Sequence, residues 1–342
     1  MTKIEDRLNV FDVTGLKGDK RVKGIKVGIE LEYEANRLPS EGDTHSKTSW
    51  LKVHDGSLRE PCGEFVLKSP RTMEKAYRDL DELFGLFKSC RTDISESVRA
   101  GVHVHLNVQD LTMTQLYNLF TLYLVFEEPL VAWCGDNRVG NLFCLRASDA
   151  GALTYELAEA TGALNFKRAF FTDNLRYASM NVKSLHTYGS LEFRCMQSTD
   201  DIDRLKTWVG MLVQLRKAAE QYNNPTEIIR DFSLQGGVEV MRTVFGKEYT
   251  KELTVSGRIE ESLFTGMRNA QEVAFSTDWD KFEDRILAKY VGKQIRNNYH
   301  DAEVVGEWHV EAEPVPPQAP IPIPAPAAGK AFDWKRLIPA ED

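Results

Sequence analysis

Three short stretches of this chain place carboxylates and imidazoles at every second position. In Glu30-Leu31-Glu32-Tyr33-Glu34 the acids alternate with apolar residues, and Val102 to Val108 sets His103, His105 and Asn107 against Val102, Val104, Leu106 and Val108. Leu191, Phe193 and Cys195 likewise leave Glu192 and Arg194 together, and Glu64 opens a fourth such run in Gly63-Glu64-Phe65-Val66-Leu67-Lys68. A period of two is the signature of a β-strand whose two faces meet different surroundings. Each of the four strands would then turn one face to a core and offer acids, imidazole or guanidinium on the other. Any one of them could be a solvated sheet face. Taken together they fit that reading poorly, because carboxylates sharing a face repel unless a cation or buried partners neutralise them.

The expected neutraliser is a hard divalent ion held by oxygen ligands, Mg²⁺ or Mn²⁺, although two histidines leave Zn²⁺ and Fe²⁺ open. The candidate set is Glu30, Glu32, Glu64, His103, His105 and Glu192. Arginines supply the complementary charge: Arg138, Arg146, Arg176 and Arg194 fall in turn-rich or strand segments, and guanidinium groups beside a carboxylate-held metal suit a polyphosphate. Arg194 is the strongest of them, two residues from Glu192 on the same face. No Gly-x-x-x-x-Gly-Lys-Ser/Thr loop and no Gly-x-Gly-x-x-Gly turn stands between a strand and a helix, so any ATP would be bound through metal and arginine.

The elements that must position these residues follow from periodicity. Strands are expected at the four runs above and at Ser179 to Leu185. Helices are expected around Met73 to Phe87, from Thr112 to Trp133, from Leu205 to Ala219 and from Trp279 to Tyr290. Strands and helices do not alternate one for one. That predicts an α+β fold, a largely antiparallel sheet backed by helices, rather than a doubly wound one.

Composition narrows the function classes. The net charge of −8 gives no footprint for nucleic acid. The most apolar stretch, Leu116 to Trp133, is broken by Asn118, Glu127, Glu128 and Pro129, which favours a buried helix over a membrane span. Five cysteines without a CxxC pair read as reduced thiols, and the N-terminus lacks a signal pattern, so the cytoplasm is the expected compartment. Residues 1–24 are expected to form an N-terminal arm and residues 25–305 the catalytic domain. A linker follows over 306–330, with seven prolines between Pro314 and Ala328, a composition suited to an extended polyproline spacer. Residues 331–342, with Phe332 and Trp334, are a docking peptide for the domain or for a protein partner, or a loose tail.

In order along the chain, Gly28-Ile29-Glu30-Leu31-Glu32, Asp55-Gly56-Ser57-Leu58, Glu64-Phe65-Val66-Leu67-Lys68-Ser69-Pro70, Gly101-Val102-His103-Val104-His105-Leu106, Arg176-Tyr177-Ala178-Ser179-Met180-Asn181 and Leu191-Glu192-Phe193-Arg194 resemble the amidoligase branch of the glutamine synthetase and glutamate–cysteine ligase superfamily. The similarity spans roughly residues 25–220. It implies a glutamine-synthetase-like curved sheet forming the active-site face, and ATP-dependent joining of a carboxylate to an amine through an acyl phosphate. Glu30, Glu32, Glu64 and Glu192 would then hold metal, with His103 or His105 as a further ligand or phosphate contact. Arg194 and Arg176 would steady the transferred phosphoryl group, and Asp55 would orient or deprotonate the amine or bind substrate. Asn181, Lys68, Arg138 and Arg146 complete the cofactor-binding candidates. Relatives imply peptide or small-amine substrates and a glutamine amidotransferase or second ligase as partner. Lys68, where many relatives have a small residue, and the proline-rich extension depart from the pattern. The alternatives from the residues themselves are a metal-dependent hydrolase built on the His-x-His pair, and a non-catalytic scaffold that retains the ligase fold.

Overall fold

A computed structural model of the chain describes residues 22–164, 166, 175–255 and 258–300. The chain divides into two units, Met1–Asn297 and Asn298–Asp342. Apart from the last turn of its final helix, everything described belongs to the first. Nearly all of the expected arm, and the whole of the proline-rich linker and the Trp334 tail, lie outside the described residues.

The fold is α+β, with an antiparallel sheet backed by helices. Its strands are β1 (Val27–Asn36), β2 (Trp50–Val53), β3 (Cys62–Leu67), β4 (Asp93–Ile94), β5 (Gly101–Asn107), β6 (Met180–Asn181) and β7 (Ser190–Gln197). The order across the sheet is β2-β3-β1-β5-β7-β6, with β4 paired to the far end of β1. The acidic and imidazole runs thus occupy the four central strands. Their registers set Glu30 opposite His103, Glu32 opposite Glu64, and His105 opposite Glu192. Directly opposed residues project to the same face, so this pairing gathers the polar groups on one side.

The other face is the core. Ile29, Leu31, Tyr33, Phe65, Val102, Val104, Leu106, Leu191 and Phe193 are all buried there. Tyr33, Phe65 and Phe87 form an aromatic triangle, with ring centroids 5.5 Å apart for Tyr33–Phe87 and 4.9 Å for Phe65–Phe87. Phe87 lies on α2 (Met73–Cys90), after the short helix α1 (Glu41–Lys47). Behind the sheet runs α3 (Met113–Cys134), apolar on all sides and correspondingly buried all round. It begins with a reciprocal cap: Gln115 N–H donates to Thr112 Oγ1 at 3.2 Å, and Thr112 N–H donates to Gln115 Oε1 at 3.0 Å. It stops at Gly135, whose φ of 142° favours glycine and whose flank is filled by Gln197, 2.0 Å from where a Cβ would lie.

The remaining helices are α4 (Ala152–Ala163), α5 (Ser184–Tyr188), α6 (Ile202–Ala219), α7 (Pro225–Gln235), α8 (Gly237–Leu253), α9 (Ile259–Ala274) and α10 (Trp279–His300). The expected strand from Ser179 to Leu185 is shorter than its pattern suggested. Only Met180–Asn181 pairs, because Asn181 Oδ1 accepts from Lys183 N–H at 2.9 Å and turns the chain into α5. Helices α7 to α9 were not read from the sequence, although Asn224-Pro225 is a helix start: Asn224 Oδ1 accepts from Thr226 N–H at 3.0 Å. Within α8, Gly246 (φ 79°) breaks the helical path and with it the apolar period.

Candidate metal centre

His103 sits at the centre of the polar face, 4% exposed, with three carboxylates around its ring. Its Nδ1 lies 3.4 Å from Glu30 Oε2 and 3.6 Å from Glu192 Oε1, and its Nε2 lies 3.7 Å from Glu32 Oε1. Glu32 and Glu192 are buried and Glu30 is partly buried, at the edge of a cavity. The spacing of β1, β5 and β7 brings them together, since neighbouring strands lie only about 5 Å apart.

Each carboxylate has one oxygen held from outside and the other aimed inward. Glu32 Oε2 accepts from Gly101 N–H at 2.9 Å, which leaves Oε1 toward His103. Glu192 Oε2 accepts from Asn181 Nδ2 at 2.7 Å, and its Oε1 lies between His103 and the guanidinium of Arg194. Glu30 Oε1 is 3.2 Å from His105 Nε2, whose Nδ1 in turn meets Ser190 Oγ at 3.2 Å, and Oε2 points to His103. Outer partners that fix one carboxylate oxygen and free the other are what a metal site uses to orient its ligands. Glu30, His103 and Glu192 each offer one ligand atom within 4.8 Å of the others.

A bulge in β7 places Arg194. Between Val102–Met196 and Val104–Phe193 the register slips by one residue, so that both Arg194 and Cys195 lie opposite His103. Cys195 goes to the core, beside Cys134 and Tyr123, while Arg194 stays on the polar face with Glu192.

The electrostatics follow from burial and these contacts. Burial pushes Glu32 upward, partly offset by the charges of His103 and Arg194. Glu64 is pushed up to about 7, first by burial and then by the negative charges of Glu30, Glu32 and Asp55. Burial also works against ionised Glu30, but hydrogen bonds with His103 and His105 overcome it and hold the carboxyl well below its ordinary range. In Glu192 burial is outweighed by Arg194 and the two histidines. Burial opposes the charged form of His105, yet its bond to Glu30 raises it above the usual imidazole value. The face therefore carries two acids held in the ionised form, Glu30 and Glu192, and two pushed toward the protonated form, first by burial, Glu32 and Glu64. The donor set is oxygen-rich with one central imidazole, which fits Mg²⁺ or Mn²⁺.

The other sequence candidates are placed less uniformly. Asn181 joins the cluster through Glu192. Asp55 lies in a turn, accepting from Ser57 N–H at 2.8 Å and Ser57 Oγ at 2.9 Å, near enough for its charge to act on Glu32 and Glu64. Lys68 Nζ donates to the carbonyls of His45 and Thr48 at 2.6 and 2.8 Å. Arg176 is exposed and folds onto Tyr177, donating to its hydroxyl at 2.6 Å. Arg146 is taken up by Glu128 and Asp149 at 2.6 and 2.7 Å. Arg138 is 1% exposed and donates to Arg194 O at 2.8 Å, so it supports the backbone of the bulge.

Two contributors escaped the sequence reading. The Gly101 amide and Ser190 hold Glu32 and His105 and carry no signal of their own. Glu34 shares the acidic face by period but is paired with Arg59 at 2.8 Å, a partner 25 residues away. A cavity of about 380 Å³ opens beside Glu30 and His105, walled by Lys26, Val66, Lys68, Asn107 and Tyr188 among others. Among the described residues no helix is long and apolar enough to cross a membrane. No family model matches the chain, and no curated protein matches it in sequence.

Proposed function

We propose that the chain is an ATP-dependent carboxylate–amine ligase of glutamine-synthetase-like fold, working on its polar sheet face. The observation that carries this reading is the convergence of Glu30, Glu32 and Glu192 on His103, each with its outward oxygen already held. The chemistry that a Mg²⁺ would supply here when bound is neutralisation of the negative charge that builds up during phosphoryl transfer. Glu30, Glu192 and His103 would hold it, with Glu32 and Glu64 available to a second ion. The adjoining cavity is within the size range of small-molecule sites and has lysines in its wall, which suits an anionic nucleotide.

In the proposed reaction a substrate carboxylate oxygen attacks the γ-phosphorus and ADP leaves. The resulting acyl phosphate is attacked by an amine nitrogen, which forms the amide, expels inorganic phosphate and loses a proton. Arg194, which Glu192 and Phe143 O (3.3 Å) orient, would meet a phosphoryl oxygen in this reaction. Asp55 is the proton acceptor we assign to the amine. Such chemistry asks the protein for positioning and charge neutralisation rather than a covalent intermediate.

The test is incubation of the full chain with ATP, Mg²⁺ and pooled carboxylates and amines, reading ADP and product mass. ADP should form only when both substrates are present, and Glu30→Gln should abolish it while the protein stays folded. No ADP above background in any pool overturns the ligase reading. Turnover without nucleotide would point to a metallohydrolase instead.

A further inference from the structure

A second group of ligand-type side chains lies at the end of this face, where β2 runs into β3. His54, Glu60 and Cys62 each present one ligand atom within 4.8 Å of the others. Cys62 is the first residue of β3 and stands opposite Glu34, one alternation before Glu64 on the same face. His54 follows the last residue of β2. Glu60 is already oriented: its Oε2 accepts from Cys62 N–H at 3.1 Å, which leaves Oε1 3.7 Å from His54 Nδ1.

The donor chemistry differs from that of the central cluster. There the donors are carboxylate oxygens around one imidazole. Here a thiol, an imidazole and a carboxylate combine, a set that selects borderline-soft ions over Mg²⁺. Three protein ligands leave a coordination position open, and the exposure of His54 and Glu60 gives an ion direct access.

We propose that His54, Glu60 and Cys62 form a Zn²⁺-class site, separate from the central carboxylate cluster. Binding deprotonates the Cys62 thiol and releases that proton to solvent. The ion would tie together the two ends of segment 55–59, which carries Asp55 and also Arg59, the partner of Glu34. A clip of this kind removes conformational freedom from the segment it closes.

Co²⁺ titrated into the reduced full chain tests the proposal, because a cobalt–thiolate bond gives an intense near-ultraviolet charge-transfer band that oxygen and nitrogen ligands do not. The expected result is a band that saturates at one equivalent and is displaced by Zn²⁺. Cys62→Ser should abolish it and Cys90→Ser should leave it unchanged. His54→Ala should weaken binding by at least the roughly tenfold that losing an outer partner costs a metal site. Glu30→Gln should leave the band intact, which separates this site from the central one. A missing band in the folded wild type, or a band that survives Cys62→Ser, overturns the proposal.

Discussion

Asn181 holds Glu192 by one oxygen, its Nδ2 donating to Oε2 at 2.7 Å across the β6–β7 pair, and thereby frees Oε1 for His103. β6 is only two residues long, and its pairing with β7 is what fixes this contact. The shortness of the strand has a local cause, since Asn181 Oδ1 turns the chain at Lys183. One amide thus ends a strand and orients a carboxylate.

Asn181→Ala should therefore loosen Glu192 without removing a ligand. Affinity for Mg²⁺ or Mn²⁺, measured by calorimetry, should fall by roughly tenfold to hundredfold, the usual cost of losing an outer-shell partner. Excess metal should restore turnover. A variant with unchanged affinity would mean that Glu192 takes no part in holding the ion.

Arg194 and Arg146 were both candidates in the sequence, Arg194 the stronger, and should behave differently. Arg194→Ala removes a guanidinium from the cluster face, so under the proposed ligase reaction the rate of ADP formation should drop by about two orders of magnitude or more, the scale of losing a charge-stabilising group. Arg146→Ala breaks a partly buried junction with Glu128 and Asp149. It should lower the unfolding midpoint and leave Mg²⁺ affinity unaltered. Loss of metal binding in Arg146→Ala, with the fold intact, would put that residue back in the site.

The contrast shows where the sequence was legible. Strand period alone placed Glu30, Glu32, His103 and Glu192 on one face, because alternation is a property of each strand and the registers then align them. The same rule puts Glu34 on this face, and the structure adds that its charge is taken by Arg59 at the end of β1. Arg138, in a 3₁₀ turn over Asp136–Arg138, and Arg146, in a loop, lie outside the strands, where no strand period says which way a side chain points. The roles of Gly101 and Ser190 come from a backbone amide and a hydroxyl whose partners are fixed only by cross-strand register. Helix α8 escaped because Gly246 breaks its helical path and with it the apolar period, whereas α7 and α9 carry a buried stripe, Ile228 and Ile229 in one and Leu263, Ala270 and Val273 in the other, that was there to be read.

Glycines inside two helices should respond to alanine with opposite sign. At Gly266 in α9 a Cβ would fall 2.2 Å from Val125 O and 2.6 Å from Leu124 O, so the glycine lets α9 lie against the backbone of α3. Gly266→Ala should destabilise by about 1–3 kcal/mol or more as the helices are forced apart. At Gly85 in α2 a Cβ would meet nothing within 4 Å. Gly85→Ala should stabilise by roughly 0.5–1 kcal/mol through helix propensity and reduced freedom of the unfolded chain. Chemical denaturation of both variants checks the pair, and equal shifts would refute the close approach of α3 and α9.

Glu127 offers a pH signature that is independent of the metal site. It is fully buried in α3, accepts from Ala147 N–H at 2.8 Å and from Ser179 Oγ, and Ser179 Oγ accepts in turn from Tyr123 at 2.9 Å. Burial outweighs these hydrogen bonds and pushes the carboxyl from 4.5 up to about 7. The folded state therefore keeps a proton that the unfolded chain releases. Below pH 4.5 both states are protonated and the stability is fully present. Between pH 4.5 and about 7 the unfolded state sheds its proton first, so stability falls by on the order of 3 kcal/mol, and above that both are ionised and the curve levels. Glu127→Gln mimics the protonated side chain and should remove this decline, so the variant gains on the wild type as pH rises through the window. Denaturant midpoints taken from pH 4 to 8 measure the difference, and other titrating groups cancel in it to the extent that their surroundings are unchanged. Parallel curves for the two proteins would show that the buried carboxyl titrates in the fold as it does in the unfolded chain, its hydrogen bonds to Ala147 and Ser179 offsetting its burial.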